Sequence, residues 1–126
     1  MQQVVRFKNR ILLSIIDALI GRKPISEILG EFDKMKKELD AITDLNLRLF
    51  IKGYIDASKA VILQRFKFKK YSLNPLKLNS NEANELICYF TDLSVKKHFL
   101  LSEYDKGFLH LWIDLLEYIY MNDLSW

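Results

Sequence analysis

The sequence predicts an all-α protein, a single-domain bundle of about five helices spanning residues 1–126. Two observations carry that prediction. Apolar residues recur at three- and four-residue spacing through most of the chain, and only 4 Gly and 2 Pro interrupt it, which favours long helices over a meander of short strands. Half the residues are apolar, with Phe, Tyr, Trp, Leu and Ile abundant, a composition of globular proteins rather than of disordered tails. A chain of 126 residues has the length of one ordinary domain and buries about two thirds of the surface its unfolded form exposes.

The first helix is expected from near Gln2 to Ile20, where Val4, Phe7, Ile11, Leu12, Ile15, Ile16, Leu19 and Ile20 share a face. Gly21 ends it, being free to take the left-handed conformation. Pro24 suits the opening turn of a second helix, where its missing amide hydrogen is not needed. The stripe Ile25, Ile28, Leu29, Phe32, Met35, Leu39 and Ile42 forms that helix's inner face. So few residues join the two helices that they should pack as an antiparallel hairpin.

Thr43 or Asp44 is placed to cap a third helix carrying Leu47, Phe50, Ile51, Tyr54, Ile55, Ser58, Val61, Ile62 and Phe66. Gly53 and Ala57, four apart, leave room for a neighbouring backbone to approach. The pattern lapses from Ser72 to Asn81 around Pro75, the longest expected loop. Asn81 is the expected cap of a short fourth helix containing Ala83, Leu86, Ile87 and Phe90, and a turn or further short helix covers Ser94 to Leu101. Ser102 with Asp105 resembles a capping box, opening a last helix that should run to about Asn122.

Ile11 to Ile20 follows Arg6, Lys8 and Arg10 and superficially imitates a secretion signal. Ser14 and Asp17 break the run, no small-residue cleavage site follows, and Arg22-Lys23 closes it. It also falls short of the ~20 apolar residues a membrane span needs, so no membrane partner is expected. One cysteine, Cys88, excludes an internal disulfide and a multi-cysteine zinc site. A reducing, cytoplasmic location is the expectation.

The residues of catalysis and cofactor binding do not converge. His98 and His110 are the only histidines, and His110 has Asp114 one turn later on the same side of a helix. A metal centre would need further ligands from a facing helix, and no second pair supplies them, so the expected arrangement is a histidine bonded to a nearby carboxylate. Cys88 lies in the apolar run Leu86-Ile87-Cys88-Tyr89-Phe90 and reads as a buried, inert thiol rather than a nucleophile. All four glycines stand alone, so no phosphate-cradling loop is present. The expectation is a protein without enzymatic activity, metal or cofactor.

Charge is distributed unevenly along the chain. Residues 1–70 carry 15 Lys and Arg against 8 Asp and Glu, whereas from residue 103 onward Lys106 faces Glu103, Asp105, Asp114, Glu117 and Asp123. Such polarity fits a folded surface that recognises a charged partner. Two segments are candidates. In Arg65-Phe66-Lys67-Phe68-Lys69-Lys70-Tyr71, basic and aromatic residues interleave, the combination that contacts phosphates and stacks bases. The bland account of Arg65, Lys67, Lys69 and Lys70 is a helix end whose cations complement its carbonyl terminus. At the other end of the chain Asp114, Glu117 and Asp123 supply charge, and Tyr118, Tyr120 and Trp126 supply rigid rings of the kind enriched at interface centres. The bland account there is a solvated helix face with half-buried tyrosines.

A compact, single-cysteine, helical chain with an acidic aromatic flank formed by Asp114, Glu117, Tyr118, Tyr120 and Asp123 resembles the immunity proteins of bacterial polymorphic toxins, such as those of contact-dependent growth inhibition. The resemblance implies a cytoplasmic inhibitor that binds a cognate toxin domain, often a nuclease, and blocks its active site or an essential surface. On this reading Asp114, Glu117 and Asp123 are charge partners and Tyr118, Tyr120 and Trp126 are anchors, and Lys in place of Asp114 and Glu117 should weaken binding without unfolding the protein. The alternative is a small nucleic-acid-binding or regulatory protein using residues 65–70. A third is a structural subunit that turns the apolar side of its last helix to a copy of itself, so a monomer or a weak homodimer is expected.

Overall fold

A computed structural model describes residues 2–63 and 78–120 of the chain. Five α-helices occur among the described residues: α1 (Gln2–Leu19), α2 (Ile25–Glu38), α3 (Leu45–Ile62), α4 (Ser80–Lys96) and α5 (Glu103–Tyr120). Tighter 3₁₀ turns continue α2 through Leu39–Ala41 and occupy His98–Leu100 between α4 and α5, and no strand occurs among the described residues.

Local chemistry accounts for most boundaries. Gly21 ends the first helix at φ 75°, the left-handed conformation that side chains with a Cβ resist. Pro24 is extended and directly precedes α2. Asp44 opens α3, its side chain accepting a hydrogen bond from the Leu47 amide. The fourth helix starts two residues earlier than Asn81 implies, because Asn79 is the cap. Asn79 has Glu82 three positions on, and the two side chains satisfy each other's backbone amides in a complete capping box; Asn81 has Asn84 at that position. With Lys96 as its last residue α4 is also longer than the short helix expected. Ser102 Oγ accepts from the Asp105 amide at the start of α5.

α1 and α2 pair as the antiparallel hairpin expected. Arg10 bonds Glu38 at 3.0 Å near one end and Ser14 bonds Glu31 at 3.3 Å further along. Their inner faces meet through Phe7, Ile11 and Ile15 on α1 and Ile28, Phe32 and Met35 on α2, all buried, while Ile25 at the start of the α2 stripe remains exposed. α3 and α5 form the central pair, with α1 and α2 against α3 and α4 against α5. Leu111, Leu115 and Leu116 of α5 are fully buried, each such side chain contributing about 1.5–3 kcal/mol relative to exposure.

The α3–α5 contact is unusually close. A Cβ on Gly53 would overlap the Tyr104 carbonyl, and one on Gly107 would overlap the Phe50 carbonyl. The approach expected beside Gly53 and Ala57 is therefore real, and Ala57 is fully buried in it. Gly107 is its counterpart on α5.

Candidate functional site

Two polar clusters fasten α5 to its neighbours and determine which of its side chains remain available. In the first, Tyr54 of α3 donates its hydroxyl to Asp114 of α5 at 3.0 Å, and Lys8 of α1 pairs with the same carboxylate at 3.1 Å. The Lys8 ammonium also lies 5.5 and 5.6 Å from the Phe50 and Tyr54 ring centres, within reach of a cation–π attraction. Burial, the Asp114 charge and their hydrogen bond all push the Tyr54 phenol above its ordinary range, so it acts as a donor. Three helices meet at this one carboxylate.

In the second cluster Tyr104 donates to Asp56 at 2.6 Å, and Lys36 of α2 pairs with the same carboxylate. Burial alone would raise the Asp56 carboxyl, but bonds from Lys36 and Tyr104 hold it below its usual value. Tyr104 responds in the opposite sense, its phenol pushed up to about 12 by burial and then by the bond to Asp56. One helical turn along α3, Lys59 pairs with Asp33 of α2 at 2.9 Å.

His110 is not held by Asp114, contrary to the sequence expectation. The carboxylate accepts from Tyr54 instead, and the His110 ring lies 5.4 Å from Phe50, tilted against it. Burial and then the Lys8 charge keep the imidazole below its ordinary pKa. Cys88 also departs from expectation, being exposed. Leu86 and Phe90 on α4 are buried one turn apart, and a residue midway between them is rotated to the far side of the helix.

The acidic aromatic flank separates into two kinds of residue. Asp114 is 26% exposed and engaged by Lys8 and Tyr54, so it is first a tie between helices. A lysine there would break that tie and sit against Lys8, so charge reversal at Asp114 removes a contact between helices as well as a surface charge. Glu117, one turn further, is exposed. Tyr118 is half-buried against the core, and Tyr120 accepts a hydrogen bond on its hydroxyl from the Leu78 amide at 3.0 Å. Asp123 and Trp126 lie outside the described residues, as do Arg65, Lys67, Lys69 and Lys70. The apolar side of α5 is occupied within the chain, because Leu111, Trp112, Leu115 and Leu116 are buried.

A groove of about 470 Å³ runs between α1 and α2, and its charged lining residues are largely paired with each other: Arg10 with Glu38 and Lys23 with Glu31. No helix among the described residues is long and apolar enough to cross a membrane. Comparison with family models, with curated proteins and with solved structures found no match to this chain.

Proposed function

We propose that the protein is a non-enzymatic, protein-binding inhibitor, an immunity protein that neutralises a cognate bacterial toxin domain by occupying its active site or an essential surface. The observation that carries this reading is the state of α5. Its described length holds four carboxylates against one lysine. It is fixed by backbone contact with α3 and by the Asp114 and Asp56 clusters, and it presents exposed Glu117 beside half-buried Tyr118. A rigid helix with a charged group next to a ring loses little freedom on binding, which is the main cost a small inhibitor must limit. Acidic groups on such a face complement the basic cleft of a nuclease and speed encounter with it.

Tagged protein exposed to a lysate of its source cells, at low and high salt, tests the reading. The expected result is one stoichiometric protein retained at high salt, with Glu117→Lys weakening that complex by about tenfold while the melting temperature is unchanged. Recovery of nucleic acid alone, lost as salt rises, would remove the inhibitor reading and transfer function to residues 65–70.

A further inference from the structure

The least covered apolar surface of the described chain lies at the turn between α4 and α5. Phe99 is 96% exposed, Leu100 79% and Val95 70%. The Phe99 ring touches the His98 ring edge-on at 5.4 Å and otherwise projects outward. A monomer gains nothing from a phenylalanine so placed, and grouped exposed apolar side chains mark interaction sites.

Beside the same turn is an open recess of about 230 Å³, lined by Leu93, Leu101, Phe108 and Leu109 together with Lys97 and Asp105. A cavity of about 150 Å³ is enough to hold a benzene ring, so the recess has room for a phenylalanine side chain. Lys97 and Asp105 are exposed, and neither is in an ion pair among the described residues. Projection, recess and two opposite charges therefore occupy one small surface. A knob and a hole this close together on one surface allow a twofold pairing, in which each knob enters the other copy's hole and the assembly closes.

We propose that the α4–α5 turn is a self-association surface, in which Phe99 of one copy enters the recess of a second copy and Lys97 of each pairs with Asp105 of the other. The contact involves far fewer than the ~20–30 residues a side of a standard stable interface, so the dimer is weak and concentration-dependent. An anionic lipid surface fits less well, because Asp105 lines the recess and Asp92 lies beside Lys96 at 3.8 Å, placing carboxylates among the lysines. The surface is independent of the proposed inhibitor face, since Asp105 and Glu117 are about 18 Å apart along α5.

Sedimentation equilibrium of the full chain over a concentration series tests the proposal. Wild type should pass from monomer to dimer by mass action, and Phe99→Glu should remain monomeric throughout while melting as wild type does. Lys97→Asp and Asp105→Lys should each weaken the dimer by about tenfold, and the double variant should regain most of that loss because the reciprocal pair is rebuilt with its signs exchanged. A wild type that stays monomeric at every concentration, including one that instead binds anionic vesicles, would overturn the proposal. So would a Phe99→Glu protein that dimerises as strongly as wild type, or a folded double variant with no recovery.

Discussion

Gly53 of α3 and Gly107 of α5 occupy one helix crossing from opposite sides, each lying against the carbonyl of the residue three positions before the other, Tyr104 and Phe50. Because both contacts are to backbone, neither helix has a flexible side chain that yields. The arrangement brings the axes closer than ordinary side chains allow and places Cα hydrogens against carbonyl oxygens, a weak attraction that recurs between closely packed helices.

Alanine at either glycine should therefore destabilise the protein. Overpacking of this kind costs about 1–3 kcal/mol or more. The better helix propensity of alanine returns about 1 kcal/mol, leaving a net loss. Gly30 on α2 is the control, with nothing within 4 Å of a Cβ built there. Gly30→Ala should raise stability by ~0.5–1 kcal/mol. Urea denaturation of the three variants reads this directly, and Gly53→Ala behaving like Gly30→Ala would refute the close crossing.

Tyr54→Phe removes the hydroxyl that Asp114 accepts while keeping the ring in the core. A bond to a charged acceptor contributes about 1.5–3 kcal/mol, and solvent access to Asp114 puts the expected loss at the lower end. Glu117→Lys, on exposed surface, should stay within about 0.5 kcal/mol of wild type. Thermal melts of the two variants separate the structural carboxylate from the available one. A stable Tyr54→Phe protein would mean that the Tyr54 hydroxyl is not needed to hold α5.

Features governed by neighbours in sequence are legible from the chain alone: Gly21 as a helix stop, a cap at Thr43 or Asp44, the α1–α2 hairpin and the small residue at Gly53. The Asn79 cap was open to inspection too, since only Asn79 has a glutamate three residues later. The fate of Asp114 was not. Its donor, Tyr54, is 60 positions away, and no local pattern records a pairing made only when three helices pack. Along the chain, the four-residue spacing makes Asp114 the one carboxylate in view of His110. The exposed Phe99 was obscured in the same way, since an apolar residue in a turn looks no different from one that folds inward.

Cys88 offers a direct check on the rotation of α4. Exposed between buried Leu86 and Phe90, it should react with a water-soluble aromatic disulfide in the native protein, without denaturant. Cys88→Ala should change stability by no more than about 0.5 kcal/mol, as for other surface substitutions. A thiol that reacts only after unfolding would show that this face of the helix is covered.

His110 gives the chain a pH dependence whose sign follows from its surroundings. Burial, then the Lys8 ammonium, hold the folded imidazole below the ordinary value of 6.5, with Asp114 pulling the other way. The unfolded chain takes up this proton near 6.5, and the folded chain only at lower pH. Between those two values the unfolded state binds more protons, so its contribution to stability is complete above 6.5 and is lost as pH falls through the folded pKa. Asp56, with its carboxyl held below 3.8, begins to lose its contribution only in far more acidic solution. The melting temperature should therefore fall between about pH 7.5 and about pH 5.5, and His110→Gln should flatten that fall. A variant that loses stability as steeply as wild type would assign the dependence to another group and would mean that the His110 imidazole is protonated as readily in the fold as in the unfolded chain.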